Sequence, residues 1–186
     1  LLGSGFDPGI QEDPYKLMVY TSFQEKATQI SHLGTARIAR KQGDKNLYTI
    51  CTAIAKDEAR HFSFYKEVMM EIFDEDTNGA ITAYASMMKK TISMPAEELN
   101  SIRNQTLYSD FSEVAQSTKI YTAKDYVGII EQLNAEWKIK DRKVTTIEAI
   151  QAQEYLLKLP QRYLKLADRR KNKEFSFDAS RFDWIK

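Results

Sequence analysis

Residues 54–65 read Ile54-Ala55-Lys56-Asp57-Glu58-Ala59-Arg60-His61-Phe62-Ser63-Phe64-Tyr65, and this stretch decides the fold. Glu58 is followed three residues later by His61, inside a segment with helical periodicity. Residues three apart on a helix share a face, so the carboxylate and the imidazole can reach one point. Helical bundles build half of a carboxylate-bridged two-metal site in this way, with Glu-x-x-His on one helix and a lone Glu on its neighbour. The neighbour is at hand: Glu25, within Tyr20-Thr21-Ser22-Phe23-Gln24-Glu25-Lys26-Ala27-Thr28.

A short pattern of this kind also occurs on solvated helix faces. Here the surroundings favour an inward role. Cys51, Ile54, Glu58, His61 and Tyr65 fall on one stripe of mostly apolar residues. A carboxylate buried there costs several kcal/mol unless it is paired or binds a metal. On the upstream helix Glu25, Thr28, His32 and Thr35 form a matching polar stripe. The expectation is a buried polar site between two helices, with a plain structural ion pair as the alternative to metal ligation.

Working outward, turn signals bound the helices. Asp7-Pro8-Gly9 and Asp13-Pro14 punctuate the start, and Pro14 suits the first helical position after an Asp13 cap. A long helix is expected to about Gln42, stopped by Gly43, then a second from Lys45 to about Phe73, capped by Asp44. Asp74 to Gly79 reads as a turn, with helix again from Ala80 to Lys90. Further helix starts are read at Ser93-Met94-Pro95, at Tyr108, at Thr122 with Asp125, and at Thr145 with Glu148, the last two as capping boxes. Pro160 should kink or restart the final helix. No strand alternation is visible, so the fold class is all-α.

With 186 residues the chain is long enough for a core of its own and reads as a single domain over 1–186. A net charge of +1 creates no global field to recruit nucleic acid. No apolar run approaches membrane-spanning length. The single cysteine, Cys51, rules out an internal disulfide and fits a reducing compartment.

With both halves of the metal motif placed, the sequence resembles the soluble acyl-acyl carrier protein desaturase family. The matching residues include Tyr20 to Glu25, Ala27-Thr28, Ile30-Ser31-His32, Thr35-Ala36-Arg37, Asp57-Glu58, Arg60-His61, Ile92 to Ala96, Tyr121 to Tyr126, and the closing Phe182-Asp183-Trp184-Ile185. The resemblance implies a ferritin-like helical bundle holding two irons, usually in a homodimer. It implies desaturation of a saturated acyl chain carried on acyl carrier protein, with O2 as oxidant and ferredoxin supplying electrons. Such an enzyme works in the plastid stroma of a plant or alga, or in the bacterial cytoplasm.

Residue by residue, Glu25, Glu58 and His61 match iron ligands of that family. Thr28 matches a hydroxyl beside the oxygen-binding face, and Asp57 a carboxylate that orients a ligand histidine on another helix and lies on the electron route. Pro8, Ile10, Leu17 and Met18 match positions lining the acyl channel, although ordinary packing explains the same residues. Lys165 and Arg169 keep positive charge where the family docks its acidic carrier, or simply solvate a helix end.

The family's site also takes a second Glu and a second Glu-x-x-His from two helices that precede the matched region. His32 is the only other histidine, so the ligand count gives half a site. The chain reads as the C-terminal two-thirds of a desaturase, incomplete as a bundle and inactive by itself. A ferritin-like di-iron oxidase and a non-catalytic truncated relative are the alternatives.

Overall fold

The protein is described by a computed structural model that covers residues 13–90, 92 and 107–171, with side chains at 13–90, 92 and 111–167. Six α-helices and one 3-10 turn make up the described residues: α1 (Pro14–Gln42), α2 (Lys45–Glu75), α3 (Thr77–Lys89), α4 (Leu107–Ser117), α5 (Ala123–Glu136), the turn Ile139–Asp141, and α6 (Ile147–Lys171). The all-α expectation holds: no strand occurs among the described residues.

Local chemistry sets the helix ends. Asp13 accepts from the backbone N–H groups of Tyr15 and Lys16 and precedes Pro14, which needs no N–H in the first turn. Gly43 closes α1 at φ 79°, a left-handed conformation that glycine adopts without a Cβ clash. Asp44 caps α2 through the N–H of Leu47. With only two residues between them, α1 and α2 must fold back as an antiparallel hairpin, and they form the most extensive helix pair among the described residues.

Three expectations are corrected. Asp74 to Gly79 is not a turn. Asp76 accepts from the N–H of Gly79 and starts α3 at Thr77, so the glycine lies inside the first helical turn. The cap of α6 is Thr146, which accepts from the N–H of Ala149. Thr145 is instead tied to Asn78, which donates to its hydroxyl and accepts from its N–H. Pro160 does not restart the helix, because α6 runs unbroken through it to Lys171. A proline removes the N–H that would reach the carbonyl four residues back. That carbonyl, on Leu156, accepts from the Asn134 side-chain amide of α5 at 3.0 Å instead. The Thr122–Asp125 capping box forms as expected. The helix start expected at Ser93 lies outside the described residues.

The core gathers at one end of the α1–α2 hairpin. Val19, Tyr20, Phe23 and Ala27 of α1 meet Phe62, Met69 and Phe73 of α2, Ile81, Tyr84 and Met88 of α3, Ile130 and Leu133 of α5, and Leu156 of α6. At the centre sits Trp137, fully buried, whose indole N–H donates to the Lys66 carbonyl at 3.1 Å. Its ring lies 4.9 Å from Tyr84, edge to face, and 5.4 Å from Phe73, within the range of favourable aromatic contacts. The far end of the hairpin is barer, and residues 40–50 are all exposed. There the segment after α4 leans on α1 at Gly34, where a Cβ would stand 2.4 Å from the Ile120 carbonyl oxygen.

Candidate metal centre

Because α1 and α2 are antiparallel and capped close together, Glu25 in the middle of one faces Glu58 and His61 in the middle of the other. The His61 imidazole Nδ1 lies 3.3 Å from a Glu25 carboxylate oxygen and 3.7 Å from one of Glu58. All three residues offer a ligand atom within 4.8 Å of one another. The helical spacing of Glu58 and His61 and the register of the hairpin thus deliver the convergence expected from the sequence.

The depth of the site differs from that expectation. The two carboxylates are half-buried, but the His61 side chain is 57% exposed. Ile54, Thr28, His32 and Thr35, on the same stripes, are also only half-buried. The trio therefore lies on an open face of the hairpin and not in a closed pocket. His32, two turns beyond Glu25, stays outside the trio.

The electrostatics favour a cation. Glu25 has its carboxyl pushed up to about 7, first by burial, then by a shared hydrogen bond with Glu58 and by that residue's charge; His61 pulls the other way. Two carboxylates this close compete for one proton, and a metal ion that replaces it would relieve both. Two carboxylates and an imidazole, with no thiolate, form a donor set suited to a hard, redox-capable metal such as iron or manganese. The trio fits that metal type by its chemistry.

The other site residues fall in several places. Thr28 stands one turn after Glu25, and its hydroxyl donates to the carbonyls of Gln24 and Glu25. Asp57 lies on the outer side of α2, ion-paired with Arg60 of the same helix and bordering a groove of about 390 Å³ shared with Tyr48, Thr52 and Lys56. No described histidine on another helix meets Asp57, so the orienting role expected for it has no partner among these residues. Leu17 and Met18 occupy the first turn of α1, two turns before Glu25; Leu17 is exposed and Met18 packs partly against the core. Lys165 is exposed on α6. Pro8 and Ile10, and the side chain of Arg169, lie outside the described residues.

Sequence reasoning overlooked the neighbours that flank the trio. Lys26 and Lys66 both stand over the Phe62 ring, 5.1 and 5.9 Å from its centre. Lys66 is held by Glu136 at 3.0 Å. Burial lowers the Lys26 pKa, partly offset by the charge of Glu136. Phe62 follows His61 directly, so the cluster adjoins the trio on its buried side. The one hint in the sequence is that Lys66 follows Phe62 at helical spacing.

The family profile described as fatty acid desaturase matches residues 1–186. The chain belongs to this fatty acid desaturase family. It is 45% identical over 186 residues to the chloroplastic stearoyl-[acyl-carrier-protein] 9-desaturase of Gossypium hirsutum, a match covering 100% of the chain and 47% of that relative. The enzyme of the same description from Ricinus communis is 42% identical over 185 residues, again covering 100% of the chain and 47% of the relative. The chloroplastic acyl-[acyl-carrier-protein] desaturase of Cucumis sativus is 41% identical over the same length and shares. The chain thus spans about half the length of these relatives, less than the two-thirds expected. Like other members of this family it is a helical bundle, and no described helix is long and apolar enough to cross a membrane.

Proposed function

We propose that this chain is part of an acyl-acyl carrier protein desaturase and carries one half of its two-iron centre. The observation that supports this most directly is the meeting of Glu25, Glu58 and His61 within 4.8 Å on one helix pair. In this reading the three side chains are iron ligands, and the remaining protein ligands come from helices outside residues 1–186. Bound iron supplies the O2-dependent removal of hydrogens from adjacent acyl carbons.

The chain's own residues do the rest. Glu25 gives up the proton it shares with Glu58 when metal enters, and the carboxylates then balance the cation's charge. Thr28, idling on its own helix carbonyls, holds a transferable proton one turn from the centre. Asp57 reaches a ligand histidine only if that residue displaces Arg60 from its ion pair, and it then orients the imidazole and carries the electron route. Pro8, Ile10, Leu17 and Met18 line the acyl channel. Lys165 and Arg169 receive the acidic carrier protein. Ferredoxin is the electron donor, the assembly a homodimer, and the compartment the plastid stroma or a bacterial cytoplasm.

The test uses the full polypeptide that carries this chain, loaded with ferrous iron and given O2, reduced ferredoxin and a saturated acyl-carrier thioester. The expected product is a cis-olefin, detected by gas chromatography of the released acyl chain, and Glu58→Ala should reduce it to background. Iron oxidation without olefin would support a ferritin-like oxidase instead, and full turnover in Glu58→Ala would remove that residue from the metal.

A further inference from the structure

Asn78-Gly79, a pair that the proposed function does not use, is the only Asn-Gly step in the 186 residues. In an unstructured chain such a pair is chemically labile. The glycine nitrogen attacks the asparagine side-chain carbon, ammonia leaves, and a cyclic imide forms. Water then opens the ring to aspartate or to isoaspartate. Glycine hinders this attack least, because it has no Cβ and its backbone is permissive.

In the folded chain both reacting groups are tied down, as the second and third residues of α3. The Asn78 amide donates to the Thr145 hydroxyl at 2.9 Å, and its carbonyl oxygen accepts from the N–H groups of Thr145 at 2.9 Å and Thr146 at 3.5 Å. Thr146 itself caps α6, so this one side chain clasps the start of α3 to the start of α6. Among the described residues, α6 is the element that α3 packs against most. The nucleophile is held as well. Gly79 donates its N–H to Asp76 at 2.9 Å, and the Tyr15 hydroxyl of α1 donates to Asp76 at 3.3 Å. Losing the Gly79 proton beside a carboxylate is unfavourable. Helical side chains also lean toward the N-terminus, which turns the Asn78 carboxamide away from the Gly79 nitrogen. The same contacts demand this labile pair: only an amide side chain both donates to and accepts from residue 145, and a Cβ on Gly79 would stand 2.2 Å from an Asp76 carboxylate oxygen.

We infer that Asn78-Gly79 is a deamidation site gated by this clasp, which turns a transient opening of the α3–α6 contact into a permanent one. The reaction needs Asn78 to leave Thr145 and Gly79 to leave Asp76, an event of the kind that local unfolding provides. The bond from Asn78 Cγ to its amide nitrogen then breaks as the Gly79 nitrogen bonds to Cγ. Ammonia departs with the Gly79 proton, and water supplies the oxygen of the product. Neither product restores the clasp. Aspartate has no N–H to give Thr145 and adds negative charge beside Asp76. Isoaspartate routes the backbone through the former side chain and inserts an extra carbon into the first turn of α3.

The purified protein, held at mildly alkaline pH with or without urea and mapped by peptide mass spectrometry, tests this. In urea, Asn78 should convert as fast as it does in a synthetic peptide of residues 74–82. In the folded protein, conversion should be more than about tenfold slower, since it waits on local opening. Thr145→Val removes the hydroxyl that accepts from Asn78 but leaves every helix cap in place, and it should speed the folded-state reaction several-fold. Protein converted at Asn78 should unfold at a lower urea concentration than fresh protein. Asn78→Gln, whose longer side chain closes the imide poorly, should keep its own starting midpoint on ageing. Equal rates in folded and unfolded protein, or in wild type and Thr145→Val, overturn the gate. An unchanged midpoint after conversion overturns the permanent opening, and no conversion in urea overturns the site.

Discussion

The buried side of the α1–α2 hairpin and the open face at its middle solve opposite problems. Around Trp137 the inward face of the hairpin packs against α3, α5 and α6, and its large side chains are buried to completion. Around Glu25, Glu58 and His61 the same two helices have polar stripes half open to solvent. The covered side is held by apolar packing, and the open face carries the repulsion of two crowded carboxylates. The fold is anchored on the side of the hairpin that faces away from the trio, so substitutions on the open face should change binding far more than folding.

The most damaging way to probe the contrast is Trp137→Ala. It removes a fully buried side chain from three aromatic and hydrogen-bonded neighbours and should cost about 3–5 kcal/mol, read by urea denaturation. A loss below about 1 kcal/mol would mean that the anchor lies elsewhere. Next comes Gly34→Ala, at the sparsely packed end. The added Cβ meets backbone, which cannot rotate aside, so a loss of ~1–3 kcal/mol is expected despite the few neighbours there. An unchanged melting temperature would show that the Ile120 segment is free to move.

The smallest effect concerns pH. Glu25 titrates at about 7 in the folded chain against an ordinary 4.5, so the folded state holds a proton that the unfolded state releases. Stability of the metal-free protein is therefore greatest below about pH 4.5 as far as this group is concerned, and it declines as pH rises towards and through about 7. Glu58→Gln removes the neighbouring charge but leaves the burial, so its decline should be shallower. Thermal melts at a series of pH values measure this, and identical slopes in both proteins would show that Glu58 does not govern Glu25.

What was legible in the sequence follows the reach of each interaction. The bounds of α1 and α2 were readable because their signals, Asp13-Pro14, Gly43 and Asp44, act within a few residues. The convergence of the trio was readable for the same reason: helical spacing fixes Glu58 and His61, and a two-residue connection brings Glu25 opposite. The start of α3 was misread because Gly79 looks like a turn unless Asp76 is known to cap it. Thr145 looked like a cap until Asn78, 67 residues away, claimed it. The open setting of His61 had no sequence signal, since an apolar stripe does not say whether anything packs on it.

The Asn134 amide that stands in for the missing N–H at Pro160 has an evolutionary consequence. The ring deletes a donor and the amide restores it, so Asn134 is constrained for as long as Pro160 remains. Losing Asn134 while Pro160 remains would leave the Leu156 carbonyl stranded; replacing Pro160 first would make the amide redundant. The two residues are best regarded as one inherited character, and lineages that dropped the proline should have been free to lose the asparagine afterwards.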